Sequence, residues 1–156
     1  MVRSVEVYSL TQKERRRLSG TELQFSYRRN HFLQPGDIVV STRWEYEPAA
    51  PEWVKQKIQE ILDRRKRTQP IEYPSCGSVF KNPKNPRYHH SWQVIEALGL
   101  RGHRIGAAQF SEKHPNFIVN HGGAKASDVK ALIELAKQRA SQELGVKLEE
   151  EVQVVG

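Results

Sequence analysis

The stretch "SDVKALIELAKQRASQELG" near the C-terminus constrains the fold most. Val129, Leu132, Ile133, Ala136, Ala140 and Leu144 recur at helical spacing, which predicts an amphipathic helix capped by Ser127 and ended by Gly145. A one-sided helix needs an apolar layer to lie on. Its neighbours read as strands: "HRIGAAQFS" and "NFIVN" before it, on either side of "EKHP", and "VKLEEEVQVV" after it. Mixed helix and strand of this kind predict an α+β fold.

The rest of the chain fits that class. "SVEVYSL" alternates as a strand, with Val5 and Val7 on one side. "LTQKERRRLSG" reads as a helical turn opened by Thr11 and closed by Gly20. "DIVVSTRWEYE" reads as a strand with Ile38, Val40, Thr42, Trp44 and Tyr46 on one side. "EWVKQKIQEILDRRKRTQ" reads as a helix that Pro51 starts and Pro70 ends, with Trp53, Val54, Ile58, Ile61 and Leu62 on one face. "SWQVIEALGL" is a short helix with Ser91 as cap and Gly99 as stop. Between the halves lies "YPSCGSVFKNP", extended by "NPKNPRY", which reads as a turn-rich loop.

The chain has 156 residues, enough for one domain or two small ones. No stretch approaches the roughly 20 apolar residues of a membrane span. "MVRSVEVYSLTQKERRRL" has no apolar signal core, which predicts a cytosolic setting. The single cysteine excludes an intramolecular disulfide and a multi-cysteine metal site. The six histidines show no metal spacing, so no metal site is expected. The net charge of +7 points to an anionic partner, either nucleic acid or a phosphate-bearing molecule. The basic runs are short, and no nucleic-acid-binding motif accompanies them.

Several residues could carry chemistry. Gly77-Ser78 could bring a hydroxyl and backbone N–H groups against a ligand, although pattern alone favours a turn serine. Lys81 and Asn82 could bind phosphate or a base edge. Cys76 reads as a small buried side chain rather than a nucleophile, which would need a basic neighbour or a helix N-terminus. His114, between two strands, could reach a ligand. Glu149 and Glu151 fall on one face of the last strand and Glu150 on the other. Arg28 could clamp an anion.

Taken in order, "YPSCGSVFKNP", "GLRGHRIGAAQFSEKHPNFIVN" and "GGAKASDVKALIELAKQRASQELGVKLEEEVQVVG" closely resemble the C-terminal part of the UDP-N-acetylenolpyruvoylglucosamine reductase (MurB) family. The resemblance covers residues 73–156, and "LQFSYRRNHF" is similar to the family's Tyr-Arg segment. The spelling "YPSCGSVF" resembles the class that lacks a tyrosine-bearing insertion. The resemblance implies a flavoenzyme of peptidoglycan synthesis. NADPH recharges FAD, and the reduced flavin passes hydride to UDP-N-acetylglucosamine enolpyruvate. It implies Ser78 as donor of the proton to the α carbon. Arg28 and Glu151 would stabilise charge on the carboxylate. Gly77, Lys81, Asn82 and His114 would bind substrate.

It also implies two parts: residues 1–70 as the C-terminal portion of an FAD-binding domain, and residues 71–156 as a substrate-binding domain. The family's glycine-rich flavin region has no counterpart in the sequence. The chain is therefore expected to be a fragment or split protein that does not hold FAD alone. Its expected partner is the missing FAD-binding part or a second copy in a dimer, with neither nucleic acid nor membrane. A catalytically silent UDP-sugar-binding module and, further off, a basic nucleic-acid binder are the competing readings.

Overall fold

The computed structural model describes residues 1–155, which form two compact units, Met1–Val54 and a second that begins at Lys55. The first unit opens with β1 (Val2–Ser9) and β2 (Glu14–Ser19). A single 3-10 turn (Gly20–Glu22), the two-residue strands β3 (Phe25–Ser26) and β4 (Arg29–Asn30), and β5 (Asp37–Trp44) follow. The long strands form an antiparallel sheet in the order β2-β1-β5. Val5 and Val7 are buried, as their alternation predicts.

Two expectations fail in this unit. The segment expected to be a helical turn is a tight turn followed by β2. Pairing with β1 satisfies its backbone, with Leu18 opposite Val5 and Arg16 opposite Val7. The Arg16 guanidinium reaches the buried Asp37 carboxylate at the start of β5. A pairing across the sheet thus replaces the local turn that propensity suggested. The second failure concerns β5. It is a strand, but an irregularity opposite Glu6 and Val7 shifts its register: Ile38 lies opposite Tyr8, while Thr42 lies opposite Val5. Directly opposed residues share a face, so Ile38 and Thr42 point to opposite sides.

The boundary between the units falls within α1 (Pro51–Thr68), where the periodicity places it. None of its residues is buried, and Trp53, Ile58, Ile61 and Leu62 are all exposed.

The second unit carries β6 (Ser75–Ser78), α2 (Ser91–Ala97), β7 (Arg104–Ile105), β8 (Ala108–Phe110), β9 (Phe117–Asn120) and α3 (Ala126–Leu144). Its sheet runs β6-β9-β8-β7, with each neighbouring pair antiparallel. α3 lays Leu132, Ile133, Ala136 and Ala140 into a core with Val94, Ile95, Phe110, Ile118 and Leu148. This is the stripe read from the sequence.

Local details again depart from expectation. "HRIGAAQFS" is a hairpin, not one strand, because it folds back at Gly106. The loop "YPSCGSVFKNP" contains β6, which pairs with β9 through an irregular register. Helix α3 begins one residue before Ser127. Its start is held by Asp128, whose Oδ2 accepts the Lys125 N–H at 2.9 Å. Likewise α2 starts after His90, whose N–H donates to Gln93 Oε1 at 2.9 Å. The expected final strand is reduced to a single bridge between Phe80 and Glu150.

Candidate functional site

The site is built around residues 78–82. Val79 and Phe80 are fully buried in the core, which fixes the half-buried Ser78 just before them. Gly77 precedes Ser78 with φ +80°, a left-handed conformation that glycine adopts without strain. No atom lies within 4 Å of where its Cβ would be, so the backbone there faces open space.

The C-terminal segment closes on the same residues. Glu151 N–H donates to the Val79 carbonyl at 2.8 Å, and Lys81 N–H donates to the Glu149 carbonyl at 2.8 Å. Ser78 and Glu151 are thereby held on either side of Val79's peptide. Glu150 is anchored separately, 2.7 Å from Lys137 Nζ, which also lies 3.1 Å from Glu134. The hydrogen bond to Glu150 raises the Lys137 pKa above its ordinary value, with Glu134 adding to it.

Two buried polar residues clamp this scaffold, and sequence reasoning missed both roles. Asn116 is 4% exposed. Its Oδ1 accepts the Phe80 N–H at 3.0 Å, and its Nδ2 donates to the Phe80 carbonyl at 2.9 Å. Its own carbonyl accepts the Val79 N–H at 2.8 Å. Ser91, read as a helix cap, instead donates through Oγ to the Phe80 carbonyl at 3.2 Å. Asn116 follows a proline in "EKHPNF", where asparagine reads as an ordinary turn residue. No local signal distinguishes it, because its partners are 36 positions away.

The remaining candidates are distributed around this centre. Asn82 Oδ1 accepts the Ser91 N–H at 3.2 Å, which leaves its amide group as donor. Lys81 Nζ forms an ion pair with the Glu149 carboxylate. His114 sits in a turn organised by Ser111, whose Oγ accepts the N–H groups of Lys113 (3.1 Å) and His114 (3.2 Å). Its ring lies edge-on to Phe117 at 4.9 Å, and Nδ1 accepts the Asn116 N–H at 3.3 Å. Burial, aided by the charge of Arg101, lowers its pKa below 6.5. With Nδ1 accepting, Nε2 is the ring nitrogen left to donate.

Arg28 belongs to the first unit. It lies in the β3–β4 turn at φ +59°, with its guanidinium 5.2 Å from the centre of the Tyr27 ring. A non-glycine residue in that conformation is strained. Cys76 is exposed, which corrects its reading as a packing residue. The residue as a whole is exposed, but its thiol is partly withdrawn from water, and that desolvation pushes its pKa up, the opposite of what a nucleophile needs.

A flavin dinucleotide requires backbone N–H groups turned toward its diphosphate. The glycine-rich turn at residues 120–124 is closed on itself instead. Asn120 Oδ1 accepts the N–H groups of Gly122 (2.8 Å) and Ala124 (3.1 Å). Of two cavities in the first unit, one of about 310 Å³ is lined by Arg3, Arg17, Arg43, Ser4, Ser19, Trp44 and Glu45, and one of about 560 Å³ by Met1, Arg3, Glu45, Tyr46, Glu47 and Pro48, neither with a glycine. Among the described residues no cluster of three His, Cys, Asp or Glu side chains could hold a metal ion. Nor, among the described residues, is any helix long and apolar enough to cross a membrane.

The family model for the C-terminal domain of UDP-N-acetylenolpyruvoylglucosamine reductase matches residues 69–155. The chain belongs to this family. It is 39% identical over 155 residues to the reductase of Thermosipho melanesiensis, spanning 99% of this chain and 52% of that protein. With the Latilactobacillus sakei reductase it shares 43% identity over 139 residues, or 89% of this chain and 45% of that one. The crystal structure of MurB from Thermus caldophilus superposes with a TM-score of 0.79 at 35% identity, over 98% of this chain and 53% of that one. The chain thus spans about half the length of the MurB relatives it matches.

Proposed function

We propose that this chain supplies the C-terminal half of a UDP-N-acetylenolpyruvoylglucosamine reductase. With the FAD-binding remainder it reduces UDP-N-acetylglucosamine enolpyruvate, at the expense of NADPH, in cytosolic peptidoglycan synthesis. Residues 1–70 complete the FAD-binding domain, and residues 71–156 bind substrate. One observation carries the reading: Ser78 and Glu151 flank Val79 on a clamped scaffold inside the stretch that matches the family model.

The chemistry assigns roles to this chain's own groups. The hydride donor is assigned to the remainder of the protein, a reading supported by the 120–124 turn, which closes its N–H groups on Asn120. As the enolpyruvyl group is reduced, negative charge grows toward its carboxylate. A fixed guanidinium helps most when that charge is largest, which suits Arg28. Its strained backbone is consistent with a residue kept in place for function. Glu151 orients the same end of the substrate. Ser78 delivers its proton to the α carbon; positioned proton transfer is typically worth ~10²–10⁴-fold. The open space beside Gly77 lets substrate approach the backbone. The Asn82 amide, Lys81 and His114 bind the nucleotide-sugar.

The test uses the chain reconstituted with its FAD-binding half. Ser78→Ala is expected to leave flavin reduction by NADPH intact while abolishing flavin reoxidation by the enolpyruvyl substrate. Equal loss of both half-reactions would remove Ser78 as the proton donor.

A further inference from the structure

Three consecutive glutamates, Glu149 to Glu151, follow α3, and only Glu151 is read as part of the site. Side chains of an extended segment alternate between two sides. Val146 and Leu148 are 2% and 3% exposed, and Val152 packs against the same core. The inner row is therefore Val146, Leu148, Glu150 and Val152, with a carboxylate where the pattern calls for an apolar residue. Such a carboxylate is costly unless it is paired. Its partner is Lys137, half-buried on α3 one turn from the buried Ile133 and Ala140. Lys137 Nζ lies 2.7 Å from Glu150 Oε1 and 3.1 Å from Glu134 Oε1. On the outer row Glu149 has its own cation, Lys81.

The backbone alone specifies this arrangement weakly. Beyond Leu148 the segment meets residues 79–81 through one bridge, Phe80 to Glu150. Glu151 N–H to the Val79 carbonyl and Lys81 N–H to the Glu149 carbonyl, 2.8 Å each, flank it. These bonds do not distinguish one glutamate from the next. A slip of one residue turns each side chain to the other side, which would carry Glu151 inward and Glu150 outward. A single charged pair within an apolar row can set such a register. We propose that Lys137 is a positioning residue for Glu151: by holding Glu150 on the inner side, it selects which of three identical carboxylates flanks Val79. The inference rests on the functional reading of Glu151 above, and Lys137 itself touches no substrate.

Hydrogen exchange on the whole chain, with turnover after reconstitution with the FAD-binding half, tests the assignment. Lys137→Met leaves Glu150 without its cation. The Glu151 and Lys81 amides are expected to exchange about tenfold faster. The Val79 amide, bonded instead to the Asn116 carbonyl, should keep its rate. Lys137→Arg should behave like wild type. Adding Glu150→Gln to Lys137→Met should restore the slow rates, because a neutral side chain is then the one of the three that suits the inner row. Turnover of Lys137→Met should fall about tenfold at unchanged KM and recover in the same two chains. Unchanged exchange at Glu151 in a folded Lys137→Met chain, or equal acceleration at all three amides, would overturn the clamp. If Lys137→Met does not fold, Lys137→Gln is expected to give the same pattern in milder form, and the same two results would overturn it. Unchanged turnover beside a faster Glu151 amide would overturn the positioning role. Lack of turnover by the unsubstituted enzyme would fall on the functional reading, and the exchange pattern would still decide the clamp.

Discussion

The second unit buries Phe80, Phe110, Ile95 and Leu132 almost completely, whereas the first leaves Ile38, Val39, Val40 and Trp44 about half exposed. Both regions are rich in apolar residues, so composition does not separate them. The difference lies in partners. The second unit contains a helix, α3, whose stripe matches the face of its own sheet. The first has a three-stranded sheet with one charged edge and one apolar edge. The second unit is a closed packing problem; the first still has apolar surface that folding of this chain does not remove from water.

Core truncation should break the comparison most visibly. Phe110→Ala is expected to destabilise the second unit by about 3–5 kcal/mol, the usual range for a buried aromatic. Val39→Ala should cost no more than about 0.5 kcal/mol, as for other surface positions. Denaturant melts followed separately in the two units check this; similar costs at both positions would remove the contrast.

Next comes the scaffold under the site. Asn116→Ala leaves the buried Phe80 N–H and carbonyl without their side-chain partners. The expected loss is about 1–3 kcal/mol, read from the denaturation midpoint. The amide resonances of Ser78 and Glu151 should shift with it, since both residues are held through Val79. A purely global effect, with those resonances unchanged, would mean that Asn116 supports the core but not the site.

A smaller effect of opposite sign is expected in the first unit. Arg28→Gly removes left-handed strain and should stabilise that unit by about 1 kcal/mol, while the reconstituted enzyme loses turnover. Lower stability together with retained turnover would contradict both the strain and the assigned role.

The smallest effect concerns pH. The pKa of His114 is lowered by burial, so below about pH 6.5 the unfolded chain takes up the proton first. Stability therefore rises with pH through that window and is lost as pH falls. The stability difference between wild type and His114→Gln should shrink on acidification below about pH 6.5 and stay flat above it. Thermal melts across that range check the sign.

How much was legible follows the same division. The α3 stripe, β1 and α1 stood out because each repeats over many residues, and a long period survives tertiary context. The "ERRRL" segment was misread because its backbone partners are on β1 and its charge partner is Asp37 on β5. Neither appears in a local window. The last strand was over-read for a related reason: its alternation is real, but only Glu150 finds a bridge partner, Phe80. At the site, the family resemblance singled out Ser78 and Glu151, and a peptide contact to Val79 brings them together. The supports, Asn116 and Ser91, were not legible, because a buried polar clamp has no sequence signature apart from the backbone it holds.

The central claim is that the Ser78–Glu151 scaffold of the second unit is a UDP-sugar substrate site. Titrating the isotope-labelled chain with UDP-N-acetylglucosamine enolpyruvate and following backbone amides tests it most directly. The account predicts that Gly77, Ser78, Lys81, Asn82 and Glu151 shift together along one saturable curve, with β2 unaffected. Saturable shifts confined to the first unit, or none at any substrate concentration, would contradict it.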